Sequence, residues 1–358
     1  MRLAEPELAD ADWSKTWRLL SLPAASAQGA SVVATPSGWI AVSSRHNGSK
    51  APPPPDSFIY RSLDGTHWRA IPTNTGDAQL QNAEVAYGGG HYVITGSRGG
   101  ANVVLDSSNG ETWHEQALDD PNSWSQGPVK YVQGRFFFLN VSLLSSIDGQ
   151  QWSRVDQPYP YAGLSDVAYG NGRYLGVGAG TLLSLDGRQW RAAPIDCSLA
   201  GDCITAPDDG TIPEEGAGPV FFAEERFHAL SFGAAEGAFS SPDGESWQFT
   251  PGLSPDGYLS GHFVRSFGPE PKVWVAKDGP SRALKLLHRS SMLPSGITPA
   301  EAQRWNSPAE PDATHNAFPL DETMPAEMDL SWSDQLDCTT ARCFVVTSGT
   351  ASQLLLVP

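Results

Sequence analysis

The segment Tyr169–Trp190 reads YGNGRYLGVGAGTLLSLDGRQW, and its last seven residues, Ser184–Trp190, press a serine, an aspartate, a glycine and a tryptophan into one polar knot. The same Ser-x-Asp-Gly-x-x-Trp pattern recurs as SLDGTHW (Ser62–Trp68), SIDGQQW (Ser146–Trp152) and SPDGESW (Ser241–Trp247). A further copy, SSNGETW (Ser107–Trp113), carries Asn109 where the others have aspartate. A knot copied this often belongs to a repeating frame, not to a single active site.

Each copy follows the same kind of text. Runs such as VAYGGGHYVITG, VKYVQGRFFFLN, VAYGNGRYLGVG and VFFAEERFHALS read as two strands around a tight turn. Shorter runs (ANVVLDS, SLLSS, TLLSL, GAFSS) then lead into the Ser-Asp-Gly turn. The unit is strand, tight turn, strand, loop, strand, Ser-Asp-Gly turn, and a strand led by tryptophan. A four-stranded meander repeated at about 40–50 residues is the sequence sign of a β-propeller. Blades stacked face to face bury both sides of most strands, so runs such as Phe136–Leu139 need no alternation.

The expectation is an all-β, seven-bladed propeller of four-stranded antiparallel blades, forming one domain over residues 1–358. Blades 1 to 5 fall at about 30–72, 82–118, 127–157, 164–194 and 218–251. Blade 6, about 260–307, is read from SGHFVRSFG, KVWVAKDG and ALKLLHRS, with a long insertion before a fourth strand at Trp305. Blade 7, about 326–358, offers only MDLSWS, CFVVTSG and SQLLLVP. The N-terminal strand TWRLLSLP, within 12–23, is expected to complete it and so remove the exposed edges.

Composition narrows the function. The chain has 36 glycines and 29 prolines, as many short strands require, and 12 tryptophans. Acidic residues outnumber basic ones by 40 to 23, a formal charge of −17, which repels phosphate backbones and anionic head groups. No nucleic-acid partner is expected. No apolar run approaches the roughly 20 residues of a membrane span, and a monomer is expected. The start, MRLAEPELAD, lacks the apolar core of a signal peptide. The cysteines nevertheless form two close pairs, Cys197 with Cys203 and Cys338 with Cys343, and local disulfides would place the protein in an oxidising compartment. Free thiols are the alternative; neither pair has the CxxC spacing or adjacent histidine that zinc asks for. A secreted or periplasmic location is expected, with the cytoplasm as the alternative.

The knots resemble Asp-boxes, the turn motif of sialidase-type (BNR) propellers, in a form one residue shorter than the usual Ser-x-Asp-x-Gly-x-Thr-Trp. DADWSKTW has the longer spacing, with Asp12, Thr16 and Trp17 in place and Ser14 where glycine is usual. The resemblance covers the chain as a repeat type. It implies the propeller fold and places the box between the third and fourth strands, on the rim away from the functional face. Asp64, Trp68, Asn109, Trp113, Asp148, Trp152, Asp186, Trp190, Asp243 and Trp247 are thereby assigned to the frame. The carboxylate can accept backbone N–H bonds within its own turn and the indole can pack between sheets. No cofactor is indicated, with Ca²⁺ at the turns as the alternative. The series His91, Arg135, Arg173, Arg226, Lys272 and Arg342, opening successive second strands, is read as local pairing or solvated charge, not as an anion-binding ring.

If repeated features are frame, function belongs to departures from repetition at the opposite face. SRHNGSKAPPPPDS (Ser44–Ser57) contributes Arg45 and His46, and its counterpart SRGGAN contributes Arg98. The connection Ala193–Gly218 holds the first cysteine pair with Asp208 and Asp209. Shorter connections supply Asp119, Asp120 and Trp124, then Tyr159 and Tyr161, then Tyr258. Rings beside carboxylates suit carbohydrate, since rings stack on sugar faces and carboxylates accept hydroxyl hydrogen bonds. The stretch 290–326 reads as surface elaboration. Sialidase chemistry needs an arginine triad, a Tyr–Glu nucleophile pair and an acidic Asp. The family's Arg-Ile-Pro signature is absent, and Arg45 and Arg98 find no third arginine. The expected function is therefore an exported, non-catalytic propeller binding a glycan, peptide or protein. The alternatives are a glycoside hydrolase or polysaccharide lyase, and an assembly factor with a basic partner.

Overall fold

A computed structural model of the chain describes residues 18–21, 29–44, 59–72 except 66, 80–118, 127–158 except 140 and 141, 163–195 except 179, and 217–251 except 224 and 232–236. It also describes the strands 273–277, 283–287, 315–319, 335–338, 343–347 and 353–357. Among these residues all regular structure is β.

Four-stranded antiparallel sheets recur in chain order. Sheet 1 is β2 (Gly29–Thr35), β3 (Gly38–Ser44), β4 (Ile59–Ser62) and β5 (Arg69–Ile71). Sheet 2 is β6 (Gln81–Gly88), β7 (His91–Arg98), β8 (Ala101–Ser107) and β9 (His114–Ala117). Sheet 3 is β10 (Val129–Val132), β11 (Arg135–Phe138), β12 (Leu144–Ser146) and β13 (Ser153–Arg154). Sheet 4 is β14 (Leu164–Gly170), β15 (Arg173–Gly178), β16 (Thr181–Ser184) and β17 (Arg191–Ala192). Sheet 5 is β18 (Ala217–Ala223), β19 (Arg226–Ser231), β20 (Gly237–Ser241) and β21 (Gln248–Pro251).

Sheet 6 has three described strands, β22 (Val273–Lys277), β23 (Ala283–Leu287) and β24 (His315–Pro319). The strand outside β23 is thus His315–Pro319, past the 307 boundary expected from Trp305, which lies outside the described residues. His315–Pro319 has neither a Ser-Asp-Gly turn nor a leading tryptophan, so sequence carried no flag for it. The closing sheet runs β1 (Arg18–Ser21), β27 (Gln353–Val357), β26 (Cys343–Thr347), β25 (Gln335–Cys338). The N-terminal strand does join the C-terminal three, Arg18 opposite Leu356. The first of those three is QLDC; the expected MDLSWS lies outside the described residues.

In sheets 2, 3 and 4 the first hairpin is decided by two adjacent residues. Gly89–Gly90, Gln133–Gly134 and Asn171–Gly172 all have positive φ, as a two-residue turn of the twist-matched type requires. Across that hairpin an aromatic pair repeats: Tyr87–Tyr92, Tyr131–Phe136, Tyr169–Tyr174 and Phe222–Phe227 face each other as register partners, ring centroids 4.6, 4.7, 4.8 and 4.9 Å apart. Such cross-strand pairs reinforce the ladder.

Contacts group the chain into two compact units, residues 1–138 with 146–152 and 324–358, and residues 139–145 with 153–323. In the first unit, sheets 1 and 2 share a core of Ile40, Val42, Ile59, Val85, Tyr92, Ile94 and Leu105. Sheets 2 and 3 meet through Val93, Val104, Val129 and Phe136. In the second unit, Leu175, Val177 and Leu183 of sheet 4 pack on Val220, Phe227, Ala229, Phe239 and Trp247 of sheet 5. Close approach is paid for with glycine. A Cβ at Gly88 would stand 2.0 Å from the Tyr131 ring, and one at Gly170 would stand 2.0 Å from the Phe222 ring.

Candidate functional site

The Ser-x-Asp-Gly turns share one hydrogen-bonding scheme. In each, the serine hydroxyl donates to the Asp or Asn side-chain oxygen, and the glycine N–H donates to the serine oxygen at 2.7–2.9 Å. The Asp148 Oδ1 also accepts the backbone N–H groups of Gln150 and Gln151, at 2.9 and 2.8 Å. Asp186 does the same for Arg188 and Gln189, and Asp243 for Glu245 and Ser246. Asn109 reproduces the scheme with Glu111 and Thr112 at 2.8 and 2.9 Å, so the turn needs the oxygen and not the charge. The indoles of Trp68 and Trp152 close two of the turns by donating to Gly65 O and Gly149 O.

These bonds favour the ionised carboxylate. The N–H of Gln151 holds Asp148 below the usual carboxylate range, the N–H of Gln189 does so for Asp186, and the N–H of Ser246 leads in bringing Asp243 down to about 2. Ser62, Asp64 and His67 of the first turn bring a serine, a carboxylate and an imidazole together, but not in a nucleophile's arrangement. The Ser62 hydroxyl donates to Asp64 Oδ1, not to the His67 ring, whose Nδ1 lies 2.7 Å from Asp64 Oδ2. Among the described residues no group of three His, Cys, Asp or Glu is placed to hold a metal ion. The second turn position is exposed, and Leu63, Ile147 and Leu185 stand out there at 78, 58 and 74 %.

The turns also clasp the preceding sheet. Glu111, the residue after the turn glycine of sheet 2, accepts from Arg61 at 2.6 Å and from Arg69 at 2.6 and 2.9 Å, both on sheet 1. The Arg69 hydrogen bond, helped by that of Arg61, holds the Glu111 carboxyl low. Gln150 takes the same position in the next turn and donates to Asp106 of sheet 2 at 3.0 Å, so donor and acceptor have exchanged places. In the second unit Glu245 faces Arg191 and, at 3.6 Å, Arg173 of sheet 4. Arg173 also donates to Asp243 O at 3.0 Å, and Arg226 donates to Gln248 at 3.1 Å. The second-strand series was expected to show local pairing or solvated charge; Arg226 pairs within its own sheet, whereas Arg173 reaches across to the turn of sheet 5. Lys272 and Arg342 lie outside the described residues.

The first strands carry an inner latch that sequence reading missed. Ser31 of β2 accepts the N–H of Val85 on β6 at 2.9 Å. Asp166 of β14 accepts the N–H of Val220 on β18 at 3.0 Å and its neighbour Val167 N–H at 2.6 Å. Ser31 precedes Val32-Val33 and Asp166 precedes Val167-Ala168, but nothing in the local sequence marks either side chain as facing a neighbouring sheet.

At the opposite ends of the strands lies Arg98, the described member of the expected ligand set. It closes β7 and pairs with Glu115 of β9 at 2.9 Å, with both side chains largely buried. Burial pushes the Glu115 carboxyl up more than Arg98 pulls it down. In this structure Arg98 thus has a carboxylate partner within its own sheet. Arg45, His46, Asp119, Asp120, Trp124, Tyr159, Tyr161, Asp208, Asp209 and Tyr258 lie outside the described residues, as do Cys197 and Cys203. Cys338 and Cys343 lie on described strands, as direct register partners.

No family model matches the chain, and no curated protein sequence does. Solved structures do match. YCF48 bound to the D1 peptide shares 14 % identity over 96 % of each chain, with a TM-score of 0.56. The virginiamycin B lyase of Staphylococcus aureus shares 10 % identity over 96 % of this chain and 99 % of that one, with a TM-score of 0.60. PorZ, a surface component of the type-IX secretion system of Porphyromonas gingivalis, shares 11 % identity over 96 % of this chain and 39 % of its own, with a TM-score of 0.50. These neighbours are β-propellers, and repeated four-stranded antiparallel sheets make the present chain one of that fold. At such identities the likeness is one of fold.

Proposed function

We propose that the chain is a non-catalytic, exported β-propeller of seven blades in one domain, its turns short Asp-boxes, which holds a peptide or protein partner at the strand ends opposite those turns. One observation carries this reading. At the turn end, the side-chain oxygens and most of the cations are consumed by bonds repeated from sheet to sheet, a pattern that serves the frame. Strand direction puts the second-to-third connections and the links between sheets at the other end, where the chain departs from repetition. The solved structure of YCF48 with the D1 peptide supports a peptide ligand, as a likeness of fold. The charge of −17 favours a basic partner. A glycan ligand, and a glycoside hydrolase or polysaccharide lyase activity, draw on aromatics and carboxylates outside the described residues.

The test is a peptide array probed with the whole chain, with the hits followed for turnover. Binding without product, lost when residues 45–57 are replaced by the Gly-Gly link of β7–β8 while the melting temperature holds, supports the proposal. Product formation abolished by one carboxylate substitution would replace it with the enzyme reading. Absence of any peptide hit, with glycans retained on a glycan array, would replace the ligand class.

A further inference from the structure

The closing sheet differs from the others in drawing strands from both chain ends, and its register places two cysteines side by side. Cys338 is the last residue of β25 and Cys343 the first of β26. They are direct partners across the hairpin, with residues 339–342 between them. Antiparallel partners stand about 4.5–5.5 Å apart at Cα. A disulfide needs about 4.4–6.8 Å. The sequence suggested this pair by proximity alone, with free thiols as the alternative; the register adds that the two positions face each other across a hairpin.

We propose that Cys338 and Cys343 form a disulfide that staples the closing sheet, so that reduction loosens this sheet before the rest of the molecule. Position supports a mechanical role. β25 is an edge strand whose partner in the sheet is β26 alone, and only four residue pairs hold it. Cys343 is also the register partner of Val357 on β27. The neighbouring Leu356 pairs with Arg18 of the N-terminal strand. The staple therefore sits at the end of the sheet where β1 begins and β27 ends. Sheets 1 to 5 carry the Ser-Asp-Gly turn, or its Asn109 form, as a local fastener; the closing sheet has no such turn between Gln335 and Pro358.

The bond forms by thiol–disulfide exchange with an oxidised dithiol donor, of protein or glutathione type. The two cysteines lose two protons and two electrons, the S–S bond forms, and the donor leaves as two thiols. A dithiol reductant reverses the step.

The experiment uses the full chain with Cys197→Ser and Cys203→Ser, so that one cysteine pair remains. After oxidation by glutathione disulfide, peptide mapping without reduction should return the 338 and 343 peptides linked, lighter by two hydrogens than the reduced pair. Adding reductant should lower the melting temperature by about 2–5 °C. Amide protection should fall first in residues 335–357. A further Cys338→Ser, Cys343→Ser variant should melt at the reduced value and ignore reductant. Two alkylatable thiols after oxidation would overturn the bond. An unchanged melting temperature, or protection lost evenly over sheets 1 to 5, would overturn the staple. The wild-type chain, mapped in parallel, covers the case in which the serine variants fail to fold. None of these readouts depends on the compartment or on the ligand, so they fail separately from the proposed function.

Discussion

The junction between sheets 1 and 2, in the first unit, and that between sheets 4 and 5, in the second, solve one problem with different residues. Each has an outer clasp, a turn glutamate holding two arginines of the preceding sheet: Glu111 with Arg61 and Arg69, Glu245 with Arg173 and Arg191. Each has an inner latch linking first strands, and the latched residues are 54 apart in sequence in both cases. The difference lies in the acceptor. Ser31 offers a neutral hydroxyl oxygen, whereas Asp166 offers a carboxylate that is only 4 % exposed and serves two backbone amides. The position thus demands an oxygen facing a buried N–H, and the residue type is free to vary. Asn109 among the turn aspartates says the same.

The comparison breaks most severely at Asp166. Asp166→Ala strands two buried N–H donors and is expected to cost about 2–6 kcal/mol by denaturant unfolding, at about 1–3 per orphaned donor. Ser31→Ala strands one and should cost about half as much. Equal costs for the two would show that the number of stranded donors does not set the worth of a latch. Gly170→Ala sets a methyl against the Phe222 ring, and Gly88→Ala sets one against Tyr131; each is expected to lower stability by about 1–3 kcal/mol. Trimming the ring in Gly170→Ala/Phe222→Ala should leave a smaller loss than the two single changes summed.

The clasps are half exposed, so their worth is smaller. Glu111→Ala and Glu245→Ala should each cost about 0.2–1 kcal/mol, and a double-mutant cycle of Glu111 with Arg69 should give a coupling that shrinks in 1 M salt. A coupling insensitive to salt would mean that hydrogen-bond geometry, not charge, holds the junction. The smallest effect at neutral pH is expected of Asp243→Asn, which keeps the acceptor as Asn109 does. Its signature is in acid. A carboxylate held down to about 2 contributes stability that is full above its unfolded value near 4 and is lost as pH falls from about 4 to 2. The variant's melting temperature should therefore decline less steeply than wild type over that window and match it at pH 7. Parallel curves would show that Asp243 does not gain its low value from folding.

Much of the architecture was legible because its signals are local. A Ser-x-Asp-Gly turn makes its bonds within seven residues, and a two-residue hairpin announces itself in Gly-Gly or Asn-Gly, so the all-β class and the four-stranded antiparallel sheets could be read from short stretches. Where such signals lapse, the strands His315–Pro319 and Gln335–Cys338 carried no local mark by which the sequence could have named them. Arg98 shows the limit for sites. As sequence it was a free cation on a short loop; in the fold it is answered by Glu115, seventeen positions on.

The sequence by itself determined the repeat, the all-β class, the turn chemistry and the use of the N-terminal strand to complete the last sheet, because each rests on patterns readable within a strand or a turn. Only the tertiary structure decided which residues fasten one sheet to the next: Ser31 to Val85, Asp166 to Val220, Glu111 to Arg61 and Arg69. Those partners lie 42 to 54 residues apart, and nothing in their local sequence distinguishes a serine, aspartate or glutamate facing a neighbouring sheet from one facing water.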